Sequence, residues 1–155
     1  MDVSNFHITD SPAGRLTLAS NGSAIAGLHY GEREYPGASN EPDSIISAAL
    51  LQLDEYFKGI RTVFTIPLMP QGTEFQRRVW NALTEIEYGK TCTYGEIAAA
   101  IGNPKAARAV GLANNKNPIS IIIPCHRVIG ANGRLVGYAG GLQTKSFLLE
   151  LEKAG

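Results

Sequence analysis

Apolar residues alternate with smaller or polar ones from residue 4 to residue 30, a spacing typical of strands that bury one face. The alternating apolar positions are Phe6, Ile8, Leu16, Leu18, Ile25 and Leu28. Two turn-forming groups, Ser11-Pro12-Ala13-Gly14 and Asn21-Gly22, separate the three runs. We therefore predict an antiparallel meander of three strands at the start of the chain.

The apolar spacing lengthens to three or four residues after the meander, which indicates a helix. Asp43 or Ser44 can cap its start, and Gly59 lies just past its end. Residues 62–66 are a candidate for a short strand. These elements predict a structural α/β domain over residues 1–70. The predicted buried face of the helix carries Ile46, Leu50, Leu53 and Phe57.

Residues 71–155 are predicted to form a second, mostly helical domain. Two capping boxes, Thr73 with Gln76 and Thr93 with Glu96, mark the starts of two of its helices. The predicted fold class is therefore α/β (α+β), with a small antiparallel sheet and one helix followed by a helical domain.

Two short helices on either side of Gly102 form a helix-turn-helix candidate. Gly102 is expected to end the first helix, Asn103 to cap the second, and Pro104 to occupy its first turn. The second helix is built from Ala, Gly and basic residues, and Arg108 is the long side chain expected to project from it. A generic helix pair inside a core is the alternative interpretation.

The stretch from Ile121 to Val128 carries the main candidate chemistry. Its three isoleucines predict a buried strand, which Pro124 ends by removing a backbone donor. Cys125 follows where regular pairing stops and a cleft can open, and His126 and Arg127 can raise its thiolate fraction. The alternative is a packing role, because free cysteine is among the most buried residue types.

His126 is adjacent to Cys125 in the sequence, and adjacent side chains do not face each other in a helix. A bridging water can carry the proton between them, with a carboxylate on the other imidazole nitrogen. Glu150 and Glu152 are the acids available in the last helix. The same thiol also fits a Cys-His hydrolase, although a hydrolase would not need the basic helix pair.

The net charge is zero, but the charges are unevenly distributed. Residues 1–75 contain four Lys/Arg and nine Asp/Glu, whereas residues 76–155 contain ten and five. No acidic residue occurs between Ile97 and Leu149, a stretch that holds six basic residues. A positive field around the thiol favours a polyanionic partner, with a solvated basic face as the alternative.

Composition limits the class of protein. Hydrophobic residues at 44% and charged residues at 18% exclude a disordered chain. The N-terminal segment has no basic start and no apolar run, and no stretch approaches the ~20 apolar residues of a membrane span. Two cysteines without a visible leader indicate a reducing compartment, so we expect a cytoplasmic protein without membrane contact. Because His7 and His29 lack ligand spacing, we expect neither a metal nor a cofactor.

Several blocks in the second half of the chain occur together in one known family. Ile-Pro-Cys-His-Arg-Val at residues 123–128 resembles the signature of the O6-alkylguanine-DNA alkyltransferases, also called methylated-DNA–protein-cysteine methyltransferases. The likeness extends from about Thr73 to Glu152 and is that of a stand-alone bacterial or archaeal member, whereas the first domain matches in layout alone. Further blocks that resemble the family, in the family order, are residues 93–98, 102–111, 117–118 and 137–142.

The resemblance implies DNA repair by direct reversal. The protein would bind duplex DNA, flip O6-alkylguanine out of the helix and transfer the alkyl group irreversibly to Cys125, so that each molecule reacts once. His126 would be the water-mediated base, Glu152 would hold it, and Asn117 would link the turn to the active-site segment. Acceptance of O4-alkylthymine is left open. A non-catalytic lesion sensor is the alternative, although relatives of that kind lack the cysteine.

The resemblance also implies which residues contact the DNA. Arg108 would enter the base stack in place of the flipped base, and Tyr94 would approach the 3′ phosphate. The Ala139 backbone N–H would donate to guanine O6, while the Val128 and Cys125 carbonyls would accept from the guanine amino group. The predicted base pocket comprises Tyr94, Val128, Tyr138, Ala139 and Lys145. The predicted DNA-binding residues are Tyr94, Asn103, Lys105, Ala106, Arg108, Lys116 and Arg127.

The first domain lacks the cysteines through which some family members bind zinc, and we therefore expect none. Cys92 is expected to be structural, because a buried free cysteine behaves as a small hydrophobe. The expected partner is double-stranded DNA that contains O6-alkylguanine. We expect a monomer, with self-association on DNA left open.

Overall fold

In the computed structural model, which describes residues 3–154, an antiparallel sheet of three strands begins the chain. Leu18 on the central strand pairs with Leu28 on the third, and the central strand is buried throughout. The Asn21 side chain accepts two backbone N–H groups in the second turn. The predicted meander is confirmed. Its strands are β1 (Asn5–Thr9), β2 (Leu16–Ser20) and β3 (Ile25–Tyr30).

Helix α1 (Ser44–Phe57) packs on this sheet and begins at the predicted cap, Asp43. Asp43 Oδ1 accepts from the Ile46 N–H at 2.9 Å, and Oδ2 accepts from the Ser20 hydroxyl at 2.6 Å. One carboxylate therefore both starts the helix and holds it against β2. The buried residues of α1 are Ile46, Ala49, Leu53 and Tyr56.

The predicted strand at residues 62–66 is wrong. The Gln52 side chain accepts from the Thr65 N–H and donates to the Thr65 hydroxyl, in place of a strand partner. Backbone pairing occurs later, at Leu68, which forms an isolated parallel bridge with Ile25. A side-chain amide here replaces the ladder that the residue pattern predicted.

The next two helices of the structure that the sequence marked with capping boxes begin at those boxes. Both capping boxes are present, Thr73 with Gln76 and Thr93 with Glu96. Trp80 is buried and donates from Nε1 to the Ala113 carbonyl at 2.9 Å. The elements are α2 (Glu74–Thr84), β4 (Cys92–Thr93), α3 (Tyr94–Ala100), α4 (Ala107–Asn115), β5 (Val128–Ile129) and α5 (Leu142–Ala154), with β4 and β5 paired in parallel.

The chain divides into two compact units. One contains the residues before Gly72 together with Pro118–Ser120, and the other contains Gly72–Asn117 and Ile121–Ala154. Ile119 belongs to the first unit because it forms a parallel bridge with Leu28. The predicted α/β (α+β) fold class is confirmed. Within residues 3–154, no helix has the combination of length and apolar character that crossing a membrane requires.

Candidate active site

The three isoleucines before Cys125 form a turn, so the predicted strand there is wrong. Ile121 has a φ of 72°, in the left-handed region that β-branched residues rarely adopt, and this ends the extended path. All three isoleucines are nevertheless buried. A short apolar run does not distinguish a strand from another buried segment, and here it reflects burial alone.

Two asparagine side chains hold the backbone around Cys125. Asn117 Nδ2 donates to the Ile123 carbonyl at 2.8 Å, and Asn114 Nδ2 donates to the Cys125 carbonyl at 3.4 Å. Cys125 begins a 3₁₀ turn that extends to Arg127, and it is 3% exposed. Side chains, in place of a strand ladder, therefore position the residue that carries the thiol.

A buried carboxylate–imidazole pair lies next to this turn. His126 Nε2 is 2.7 Å from Glu152 Oε2, and neither side chain is more than 1% exposed. Arg127 donates to the same carboxylate from Nε at 2.8 Å and from Nη2 at 3.0 Å. Of the two acids that the sequence left open, Glu152 is the one that reaches His126, whereas Glu150 is exposed.

The Glu152 contact determines where the proton lies on His126. Because Nε2 donates to the carboxylate, Nδ1 of the neutral imidazole is an acceptor. Burial lowers the pKa of His126; Glu152 opposes this shift, and the charges of Arg127 and Lys145 add to it. Nδ1 is itself buried and hydrogen-bonds to no described residue. His126 is therefore a neutral base with an acceptor nitrogen available.

Lys145 is a fully buried cation in the same site. Its Nζ donates to the Val128 carbonyl at 2.6 Å and to the Val136 carbonyl at 2.9 Å. Burial lowers the pKa of Lys145, and the negative charge of an ionised Cys125 opposes that shift. Lys145 thus links β5 to the loop at residues 130–141 and adds positive charge near the thiol.

Tyr94, the first residue of α3, reaches the same loop. Its side chain is half-buried, and its hydroxyl donates to the Val136 carbonyl at 3.4 Å. Burial raises the pKa of Tyr94, and the charge of an ionised Cys125 raises it further. Two predicted pocket residues, Tyr94 and Lys145, therefore meet at one carbonyl close to the thiol.

The glycine-rich loop between β5 and α5 has neither helix nor strand. Gly137 and Gly141 have φ values of 37° and 88°, which glycine adopts at little cost. The Tyr138 ring lies edge-on to the His126 ring, with centroids 6.5 Å apart. Ala139 is exposed. The structure thus brings Tyr138 to the relay residues and leaves Ala139 at the solvent-facing side of the loop.

The helix-turn-helix is present, but its second helix starts later than predicted. The Gly102 N–H donates to the Ala99 carbonyl and the Asn103 N–H to the Ala98 carbonyl, a Schellman motif that ends α3. The prediction that Asn103 caps the next helix is wrong, because Ala106 occupies the N-cap position of that helix. α4 begins at Ala107 without a side-chain cap.

Most residues predicted to contact DNA lie at the surface. Arg127 is the exception, because it is 7% exposed and its guanidinium donates to Glu152 and to the Ile86 carbonyl. Its predicted place on a DNA-facing surface is wrong, since a buried carboxylate already neutralises it. The exposed predicted residues are Asn103, Lys105, Arg108 and Lys116, and Ala106 is half-buried.

Asn114 is a site residue that the sequence reading missed. It is 3% exposed, and its amide contacts the peptide of Cys125. A signal was available: Asn114 follows Val110 by four residues and therefore shares the buried face of α4. A polar side chain on such a face requires a specific partner.

Two models of one family match the chain in succession. Residues 5–70 match the ribonuclease-like domain of 6-O-methylguanine DNA methyltransferase, and residues 74–154 match its DNA binding domain. Together these matches include nearly the whole described chain.

Named relatives also match this chain over nearly its whole length. The methylated-DNA–protein-cysteine methyltransferase of Methanosarcina acetivorans is 54% identical over 151 residues, which are 95% of this chain and 97% of the relative. The protein of the same name from Mycobacterium bovis is 53% identical over 153 residues, 97% of this chain and 93% of its own.

Solved structures agree with these relatives. Mycobacterium tuberculosis OGT in complex with DNA has a TM-score of 0.90 and 52% identity, with 97% of this chain and 93% of that chain covered. The O6-methylguanine DNA methyltransferase of Methanococcus jannaschii has a TM-score of 0.72 and 31% identity, with coverage of 96% and 93%. The chain therefore belongs to the 6-O-methylguanine DNA methyltransferase family.

Proposed function

We propose that this chain is a methylated-DNA–protein-cysteine methyltransferase that repairs O6-alkylguanine in duplex DNA by accepting the alkyl group on Cys125. One observation carries the proposal. The thiol is followed by a buried imidazole whose Nε2 donates to Glu152 and whose Nδ1 remains an acceptor. This is the arrangement that activates a nucleophile through an oriented base.

The reaction begins with loss of the thiol proton. A water carries the proton from Cys125 to His126 Nδ1, and Glu152 stabilises the imidazolium that forms. The sulfur then attacks the alkyl carbon in line with its bond to guanine O6. The S–C bond forms as the C–O bond breaks, and the bonding electron pair leaves on the oxygen. The Ala139 N–H donates to this oxygen, and Lys145 adds positive charge nearby.

The lesion reaches the thiol by base flipping. Extruding a base costs a few kcal/mol, and the planar Arg108 guanidinium offsets the lost stacking by filling the gap. Arg108 is exposed on α4, and its neighbours Ala107, Ala109 and Gly111 are small, which allows this part of the helix to approach the duplex closely. In this proposal residues 71–155 carry DNA binding and transfer, and residues 1–70 are structural.

Intact mass tests the proposal. The protein is incubated with duplex DNA that contains one O6-methylguanine, and with the same duplex containing guanine. We expect one added methyl per molecule with the first duplex, located on Cys125 by peptide mapping, and none with the second. Binding to the lesion without a mass change would contradict the proposal and indicate a lesion sensor.

Arg108→Ala is expected to slow repair in duplex DNA about tenfold, because stacking of a side chain on a base contributes ~1–3 kcal/mol. Reaction with a free alkylated guanine base should be unchanged, since no base is extruded. Arg77→Ala, an exposed arginine on α2, is the matched control. Single-turnover rates on both substrates are compared, and equal losses on duplex and free base would count against the stacking role.

A further inference from the structure

The buried face of α4 contains an unusual polar residue. Val110 and Ala113 on this face are apolar and buried, as a core-facing helix requires. Asn114 belongs to the same buried set and is 3% exposed. A buried amide has two donors and one oxygen to satisfy, and leaving any of them without a partner is unfavourable.

The two ends of the Asn114 amide differ in their surroundings. Nδ2 faces the Cys125 carbonyl at 3.4 Å, and turning the amide over would place two oxygen atoms against each other. Oδ1 is therefore directed elsewhere. It is buried and hydrogen-bonds to no residue in the described part of the chain.

His126 Nδ1 is a second buried acceptor in the same condition. It belongs to the residue that follows Cys125, and Asn114 contacts the Cys125 peptide itself. Two acceptors without protein donors thus adjoin the residue whose thiol must lose a proton. Each of them needs a hydrogen atom from a third group.

We propose that Asn114 is a positioning residue for the acceptor thiol, and that its Oδ1 accepts a hydrogen bond from the water that links Cys125 to His126. The inference rests on the proposed function, because that function requires the water-mediated proton transfer. The inference adds that Asn114 holds this water in a defined position between the thiol and His126.

The hydrogen atoms balance before and after the transfer. Before it, the thiol donates to the water, and the water donates one hydrogen to His126 Nδ1 and the other to Asn114 Oδ1. The S–H bond then breaks, one water hydrogen moves to Nδ1, and the thiol proton replaces it on the water. Afterwards the imidazolium donates to the water, which donates to the thiolate and again to Oδ1.

A neutral amide suits this position. An amide oxygen accepts a hydrogen bond without taking the proton, so it holds the water and leaves His126 as the base. A carboxylate there would compete for the proton and would repel the thiolate. Tyr94 on α3 and Lys145 on α5 interact electrostatically with Cys125. The charged groups that act on His126, in the same turn, are Glu152 and Lys145 on α5 and Arg127.

The pH dependence of thiol alkylation tests the proposal in the protein without DNA. Iodoacetamide labelling is measured against pH, and peptide mapping separates Cys125 from Cys92. Asn114→Leu, of similar volume, should raise the Cys125 labelling midpoint by about one pH unit, since the water that donates to the thiolate is no longer held in place. Methyl transfer at neutral pH should fall about tenfold. Asn81→Leu, an exposed asparagine on α2, should change neither quantity.

A packing role would lower the melting temperature of Asn114→Leu and leave the labelling midpoint unchanged, and that result would overturn the proposal. Asn114→Met is measured in parallel, because its flexible side chain fills the same space if the leucine variant does not fold. If the wild type accepts no methyl from DNA while both variants shift the midpoint, the proposed function fails and the placement of Asn114 stands.

Discussion

Cys125→Ser is expected to bind duplex DNA and to gain no methyl group. A serine hydroxyl ionises far less readily than a thiol, so His126 cannot generate a useful nucleophile from it. The two side chains are close in size, so the buried turn should be kept. The exposed residues of α4 that we propose for DNA binding are separate from the 3% exposed thiol. Intact mass and a DNA mobility shift measure the two properties.

Cys92→Ser is the control for this substitution. Cys92 is half-buried on β4, opposite Val128, and burial raises the pKa of its thiol, which disfavours the thiolate. This variant should gain one methyl per molecule, like the wild type. A methyl found on Cys125→Ser would mean that another group is the acceptor, and loss of DNA binding would mean that the turn also builds the DNA-contacting surface.

Arg127→Met is expected to lower the free energy of unfolding by ~3–5 kcal/mol. Removing one partner of a buried ion pair leaves the other charge uncompensated, and the neutral His126 that also contacts Glu152 does not supply the lost positive charge. The Ile86 carbonyl would also lose its donor. Urea unfolding measures the change, and Arg77→Met, at an exposed position of α2, should stay within about 0.5 kcal/mol of the wild type.

The same variant should alter the pH dependence of stability. Arg127 lowers the pKa of His126, so removing it should raise that pKa. In the wild type the unfolded state binds a proton near the ordinary value of 6.5 while folded His126 remains neutral, so stability rises as pH increases through that value. In Arg127→Met this rise should be smaller, because the folded state also binds the proton.

Comparison of the two pH slopes is informative even though His29 titrates as well. The pKa of His29 is lowered to about 4 by burial and by Arg33, and this contribution is common to both proteins. Of these two histidines, only His126 loses a neighbouring charge in the variant, so the difference in slope near pH 6.5 reports on His126. Equal slopes with a large loss of stability would show that Arg127 stabilises the fold without tuning the base.

Features set by neighbouring residues were predictable from the sequence. The capping boxes at Thr73 and Thr93 each join residues three apart, so their side chains meet as soon as the helix starts. Asp43 and Asn21 likewise satisfy backbone groups within three residues. In each case the hydrogen-bond partner is contained in the same short window as the signal.

Features set by distant partners were not predictable in this way. β4 and β5 pair Cys92 with Val128, and neither two-residue segment has a strand pattern of its own. Ile121 has a positive φ although isoleucine disfavours it, so the surrounding contacts must override its preference. Local propensity therefore gave the wrong backbone at the turn that precedes the thiol.

Two contacts in the candidate site were predictable from the family resemblance, whereas the burial of Arg127 was not. The family resemblance implied a contact between His126 and Glu152 and a link from Asn117 to the active-site segment, and both hydrogen bonds are present. Arg127 was misplaced because a run without acidic residues indicates a positive surface, whereas its partner Glu152 lies 25 residues away. Counting charges along a chain does not show which of them are paired.

The enclosure of Cys125 has a consequence for the product of the proposed transfer. Cys125 is 3% exposed, and the backbone around it is held by Asn114 and Asn117, so a methyl group transferred to the thiol would become part of a packed interior. An added group in a well-packed core forces its neighbours to shift, and the product is therefore a different, less stable protein. If each copy accepts one group, as the family resemblance implies, the number of lesions reversed cannot exceed the number of protein copies made, and synthesis of the protein limits repair.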